Sequence, residues 1–202
     1  MTGFSKTTLL AGLSVLLTGG VVLAQSAPVD SRTARGQLFD RNGGQVMVFE
    51  QDFLNAQQIA QLSATGGAIP YYGAVAMAPD EGMLSETNQA AGNHHSVEAA
   101  ETAALTACNA ARSGGRACVV VMHFLPDDYE AGRAIQLSQS ATDAFRQFRR
   151  GRGEKAFAIS PSTGSFAFEK GDGAGDAAIS ACSVGSGAGN AAATDCYTAI
   201  VD

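Results

Sequence analysis

The stretch YYGAVAMAPDEG (Tyr71–Gly82) decides the architecture of this chain, because a degraded copy of it occurs later as KAFAISPSTG (Lys155–Gly164). AVAMAPDEG and AFAISPSTG align without a gap, with the proline and the final glycine of each copy in register. In each copy a short strand-like run leads into a turn that contains Pro and Gly. The alignment therefore predicts two related units in one chain.

Both copies continue in the same way. After the first hairpin, Ser96 is a suitable helix N-cap, and the run CVVVMHF (Cys118–Phe124) is typical of an interior strand. After the second, a short Ala- and Gly-rich helix ends near Cys182, and the strand Tyr197–Val201 follows. Each unit is therefore predicted to be strand, strand, helix, strand.

Three further elements are predicted outside these units. QVMVF (Gln45–Phe49) is a strand, and Asn55 begins a helix with capping-box spacing. A connecting helix starts at Ser138 or Ser140. We predict an α+β fold in which two pseudo-symmetric units pack as one disulfide-stapled domain over residues 36–202. Its halves are residues 36–126 and 127–202, and two loosely joined lobes are the alternative.

The first 24 residues have the pattern of a signal peptide. Lys6 precedes the apolar run Leu9–Val22, and a small-residue cleavage site ends at Ala24. An uncleaved anchor is the alternative, but the apolar run is shorter than the ~20 residues of a spanning helix. We expect cleavage before Gln25, a flexible leader over residues 25–35, and a soluble periplasmic or secreted protein without a membrane segment.

The four cysteines are most simply two disulfides in an exported chain. The alignment of the two units pairs Cys108 with Cys118 and Cys182 with Cys196, whereas a crossed pairing would join the units. No pair has Cys-x-x-Cys spacing, so we interpret all four as structural.

The formal net charge of −6 argues against nucleic acid as a partner, because sequence-independent binding needs a dense basic face. One basic cluster occurs despite this charge, at the end of the connecting helix. It complements the helix C-terminus, or it is a patch for an anionic surface polymer. A protein is the alternative partner for such a patch, and the sequence does not choose between the two. The cluster consists of Arg133, Arg146, Arg149, Arg150 and Arg152.

A metal site is the other candidate chemistry. His94, His95 and His123, with Asp127 and Asp128, are the residues from which such a site would be built. Adjacent histidines on a strand point to opposite faces, so one of the first two at most joins a given cluster. The alternative is a polar hairpin arm beside an N-cap, with His123 as a half-buried strand residue.

Other catalytic and cofactor patterns are absent from the sequence. There is no Gly-x-Ser-x-Gly, and the paired cysteines leave no thiol nucleophile. The Gly-rich runs 171–178 and 185–189 lack the Gly-Lys-Ser/Thr of a phosphate loop. We predict no cofactor and no catalytic residue.

The repeated motif resembles an exported bacterial domain family of unknown function, from Tyr71 to the C-terminus. The likeness is carried by Gly73–Gly82, Ser96–Cys118 and Ala156–Gly164, although the Trp that is frequent in that family's second hairpin strand does not occur here. The patterns QDFL (Gln51–Leu54) and PYYGA (Pro70–Ala74) are similar to those of a group of small bacterial proteins. Members of that group sometimes carry the product name 5-aminolevulinic acid synthase.

That product name implies a pyridoxal-phosphate enzyme with a Schiff-base lysine and a large two-domain fold. After cleavage the chain has only Lys155 and Lys170, one at a unit boundary and one at a hairpin end. We therefore interpret the name as a label without the activity. The sequence favours an exported structural or binding module that is not an enzyme, with an enzyme built on the histidine and aspartate set as the alternative.

Overall fold

The protein is described by a computed structural model that covers residues 27–65, 69–185 and 192–202. The predicted signal peptide, residues 1–24, lies outside the described residues. The fold is α+β, as predicted. The helices are α1 (Ser31–Gln37), α2 (Ala56–Ala64), α3 (Val97–Ala111), α4 (Gln139–Phe148) and α5 (Ala174–Ser183). The strands are β1 (Val29–Asp30), β2 (Gln45–Val48), β3 (Gly73–Met77), β4 (Gln89–Ala91), β5 (Val119–Leu125), β6 (Lys155–Ile159), β7 (Phe166–Lys170) and β8 (Tyr197–Val201).

The strands form two four-stranded sheets. The first sheet has the order β2-β5-β3-β4, and the second has the order β1-β8-β6-β7. In both sheets the first strand of a unit lies between its second and its last strand, and both neighbours are antiparallel to it. Each sheet is thus built on one strand-strand-helix-strand unit with one extra strand at its edge.

The two units share a register irregularity. The β3–β5 ladder shifts between Val75 and Ala76, and the β6–β8 ladder shifts between Phe157 and Ala158. These are the positions that the alignment of the two motifs places over each other. The ladder between the first and the last strand is therefore interrupted at the same point of both units.

Alternation along the central strands separates two kinds of core. Ala74 and Ala76 of β3, like Ala156 and Ala158 of β6, face the unit's own helix and form small-residue clusters with it. Such residues let a helix approach its sheet closely. The intervening side chains face the opposite layer, where α2 covers the first sheet and α1 and α4 cover the second. The aromatic cluster of Phe145, Phe148, Phe157 and Phe166 lies in that second layer.

Both disulfides pair as predicted. Cys108 bonds Cys118 and Cys182 bonds Cys196, each with Cα atoms 6.1 Å apart. Each bond joins the last turn of the unit's helix to the start of the following strand, and the helix cysteine is fully buried in both.

The leader prediction is wrong from Val29 onward. Val29 and Asp30 pair in parallel with the end of β8, and the Asp30 carboxylate caps α1 by accepting a bond from Thr33 N. The cause is long-range pairing, which a polar segment does not show in its own composition. The sequence predicts that the return strand of the first hairpin begins at Met83, but Met83 to Asn88 form turns and β4 begins only at Gln89.

The outer strands β1 and β2 differ between the two sheets. β2 runs antiparallel to β5, whereas β1 runs parallel to β8. The connection β2–α2–β3 stays within the first sheet, but β5–α4–β6 crosses from the first sheet to the second. The correspondence of the two sheets is therefore limited to the strand-strand-helix-strand units.

The two units meet at a polar seam. It is formed by the loop before α3, the N-terminus of α4 and the turn between β6 and β7. At Gly164 the backbone has φ +74°, and an added Cβ would lie 2.6 Å from Asn93 O. The turn of the second unit therefore packs directly on the loop of the first, at a position where only glycine fits.

Candidate functional site

His95 is the central side chain of the seam and is 4% exposed. Its Nδ1 accepts a bond from Ser138 N, and its Nε2 lies 3.0 Å from Ser165 O. These partners require the neutral imidazole with its proton on Nε2. Burial lowers the pKa of His95 to about 4, although the bond to Ser165 O opposes this. Because both ring nitrogens are occupied, His95 joins the units rather than presenting a base to solvent.

His94 is also buried, and burial lowers its pKa. Its Nδ1 has no hydrogen-bond partner among the described residues. The neighbouring Asn93 has φ +63°, and its Oδ1 accepts a bond from Ser140 N. The loop before α3 thus holds the first turn of α4 through Asn93 and His95.

The other residues of the predicted metal set lie apart from this seam. His123 Nε2 lies 2.6 Å from Glu101 Oε1, and its ring packs edge-on against Phe49. Asp127 lies against Gly43, and Asp128 has φ +54° in the turn after β5. Within residues 27–65, 69–185 and 192–202, no group of three or more histidine, cysteine or carboxylate side chains could hold a metal ion.

The predicted basic cluster is divided by the fold. Arg146 and Arg149, one turn apart at the end of α4, line a surface cleft of about 370 Å³. Arg35 of α1 and Arg41 of the following loop line the same cleft. We call this site the arginine cleft. The rest of its wall consists of Leu38, Phe39, Asp40, Asn42, Thr142 and Phe145.

Packing on the second sheet explains how the two helices meet. Ala34 of α1 and Phe145 of α4 belong to one buried cluster, which leaves the next residues, Arg35 and Arg146, exposed at its edge. Each helix carries an arginine in its last turn, where a cation is favoured by the helix dipole. Two helix C-termini therefore contribute their cations to one depression.

Few carboxylates neutralise the arginine cleft. Arg41 and Arg146 share the single carboxylate of Asp143, at 3.4 and 3.5 Å. Arg35 and Arg149 form no ion pair within the described residues. Among the described residues of the wall Asp40 is the one acid, and its carboxylate accepts bonds from Asn42. The cleft is thus a local positive region on a net-negative chain.

The other members of the basic cluster are elsewhere. Arg133 pairs with Glu130 at 3.0 Å, and its guanidinium lies 3.8 Å from the centroid of the Phe39 ring. Arg150 and Arg152 are exposed and do not line the cleft. The sequence pattern predicted Arg146 and Arg149 as part of a basic patch, but it did not indicate Arg35 and Arg41. Only the pairing of β1 with β8 could have placed them there, and a two-residue strand leaves no recognisable pattern.

Two depressions continue in sequence from the arginine cleft. The central depression, about 590 Å³, shares Arg41 and Asn42 with the cleft. The inner depression, about 270 Å³, shares Gly43, Ile69 and Gln139 with the central one. The three form one groove along the segment from Phe39 to Gln45.

The fold and this groove define a disulfide-stapled α+β protein with a cationic surface cleft. No protein-family model matches the chain, and no curated protein or solved structure is significantly similar to it. No helix in the described part of the chain is long and apolar enough to cross a membrane.

Proposed function

We propose that this protein is an exported, non-catalytic binding module that holds an anionic ligand in the arginine cleft. The observation that carries the proposal is the convergence of four arginines on one cleft in a chain of net charge −6. Structural ion pairs would need a comparable number of carboxylates. The cleft instead has Asp40 in its wall and Asp143 beside it.

The arginines of the cleft give the site its capacity to bind anions. Guanidinium groups bind carboxylates and phosphates through two parallel hydrogen bonds, and they stay charged at every physiological pH. Arg35 and Arg149 are exposed and free of ion pairs within the described residues, so binding does not require breaking a salt bridge there. Arg41 and Arg146 can exchange their shared contact with Asp143 for a ligand anion.

Export is the second part of the proposal. It rests on the pattern of residues 1–24 and on two disulfides, which persist in oxidising compartments. Expression of the full chain in a bacterium tests it by N-terminal sequencing of the periplasmic and medium fractions. A mature N-terminus at or near Gln25 is expected, and recovery of only the uncleaved chain from membranes would contradict export.

Calorimetric titration with oligogalacturonate and with inorganic polyphosphate at low salt tests the binding proposal. Arg149→Gln should weaken the binding of either anion by about tenfold or more, because a hydrogen bond to a charged group contributes about 1.5–3 kcal/mol. Arg35→Gln should act in the same direction. Added salt should weaken binding, since the groups are exposed to solvent.

Arg32→Gln is the matched control. Arg32 lies on the same short helix as Arg35 and is also exposed, but it does not line the cleft. The substitution removes the same charge and should reduce affinity clearly less than Arg35→Gln does, because Arg32 does not line the cleft and would not contact a ligand held there. Failure of both anions to bind, or an equal loss from Arg32→Gln, would refute the proposed function.

A further inference from the structure

We propose that the natural ligand of the groove is an acidic oligosaccharide in which one charged sugar is followed by neutral sugars. This inference rests on the proposed function, because it assigns the anionic group of that ligand to the arginine cleft. It adds that uncharged sugars continue from the cleft through the central depression into the inner one. The argument uses the continuity of the groove, the chemistry of its two ends and the charge of the rest of the chain.

The groove changes character along its length. The arginine cleft has four cationic side chains, and the central depression has only Arg41 and Asp143, which neutralise each other at 3.4 Å. Among the described residues that line the inner depression, the Tyr71 phenol is the one ionisable side chain, and burial raises its pKa. One end therefore selects an anion, and the other accepts only uncharged groups.

The uncharged end is polar rather than an apolar tunnel. Gln45 and Gln139 line the inner depression beside the backbone of Gly43 and Gly44. The amide nitrogens of both glutamines donate to backbone carbonyls, of Pro126 and Arg41, and this holds the side chains in place. Fixed amides and glycine backbone beside apolar contacts suit the hydroxyl and acetamido groups of a sugar. An acyl chain would instead need an apolar channel.

Nucleic acid fits the groove less well. Each nucleotide carries a phosphate, so a strand that runs along the groove would place phosphates at the uncharged end, next to a chain of net charge −6. Single strands also depend on exposed aromatic rings for base stacking. In the cleft Phe145 is buried, and Arg133 lies over the Phe39 ring. An oligosaccharide with one charged sugar followed by neutral sugars suits this groove better.

Oligomers of neutral N-acetylglucosamine that end in a single glucuronate test the inference, because a disaccharide, a tetrasaccharide and a hexasaccharide of this series each carry one negative charge. Affinity should rise by about tenfold or more from disaccharide to hexasaccharide, as neutral hydrogen bonds are added at the uncharged end. Ser140 lines the central depression. Ser140→Trp should therefore fill that depression and remove this gain, and it should leave disaccharide affinity, which depends on the arginine cleft, within about twofold. Ser140→Ala is its matched control and should retain most of the gain.

Urea denaturation first shows whether Ser140→Trp is folded, and Gln139→Ala replaces it if it is not. Equal affinity for disaccharide and hexasaccharide would overturn the inference, as would an unchanged length gain in the blocking variant. Tighter binding of single-stranded DNA or polyphosphate than of the hexasaccharide would overturn it too. In each case continued sensitivity to Arg149→Gln leaves the proposed function standing. If the unmodified protein bound neither anion, the proposed function and this inference would both be refuted.

Discussion

The ion pair between Lys155 and Asp202 should contribute more to stability than any other salt bridge within the described residues. Lys155 is 5% exposed, and its Nζ lies 2.9 Å from Asp202 Oδ2 and 5.1 Å from the centroid of the Phe148 ring. The other carboxylate oxygen of Asp202 accepts a bond from Ser31 N at the start of α1. Asp202→Asn leaves the ammonium of Lys155 buried without a counter-ion.

The expected cost follows from burial. Removing one partner of a buried ion pair destabilises a protein by about 3–5 kcal/mol, because the remaining charge stays desolvated. The Asp202 side chain is 23% exposed, so water reaches the pair and the lower end of that range applies. A loss of about 3 kcal/mol corresponds to a fall in Tm of roughly 6–12 °C for a chain of this size.

Urea denaturation of Asp202→Asn, Lys155→Met and the double variant measures the coupling. The double variant should be more stable than Asp202→Asn, because methionine is tolerated beside Phe148 and no charge remains buried. Burial alone would raise the pKa of Asp202, but the bonds from Ser31 and Lys155 hold it below its usual value. The contribution of this carboxylate should therefore be lost as the pH falls below about 4, the usual pKa of aspartate.

Two results would refute this reasoning. One is a loss of less than about 0.5 kcal/mol in Asp202→Asn, the range of ordinary surface substitutions. The other is simple additivity of the two single variants, which would mean that the side chains do not interact. Since Asp202 also holds the start of α1, Asp202→Asn should weaken anion binding at Arg35 as well.

The remaining predictions concern the seam and the disulfides. Burial disfavours the protonated form of His95 in the folded state, where its pKa is about 4. The free energy of unfolding should therefore fall by about 3 kcal/mol as the pH drops from 6.5 to 4. His95→Gln should flatten this pH dependence in urea titrations. Gly164→Ala should destabilise the protein by about 1–3 kcal/mol more than Gly82→Ala, because both glycines have positive φ but only Gly164 lies against Asn93 O. Equal losses of unfolding free energy in the two variants would contradict the described seam. Replacing Cys182 and Cys196 together with Ala should lower the free energy of unfolding by about 2–3 kcal/mol. The same change at Cys108 and Cys118 should lower it by a similar amount. A Cys108–Cys182 link in peptide maps of the unreduced protein would refute both predictions.

The sequence by itself determined the two units and their internal order. Strand alternation, the Ser96 and Asn55 caps and the turn glycines are local signals, and the structure confirms the helices and strands that they predict. The cysteine pairs could be assigned for the same reason, because each disulfide closes a short loop inside one unit. Local physics is enough wherever the partners of a residue lie nearby in the chain.

Only the tertiary structure decided the site. Arg35 and Arg146 are more than a hundred residues apart, and they meet because β1 pairs with β8 and because α1 and α4 cover the same sheet. His95 looked like a metal ligand in the sequence, yet the seam occupies both of its nitrogens. Each outcome depends on how separate elements pack, and the free energy of that packing comes from residues distant in the chain. A local pattern therefore predicts the elements of this fold but not which of their polar side chains converge.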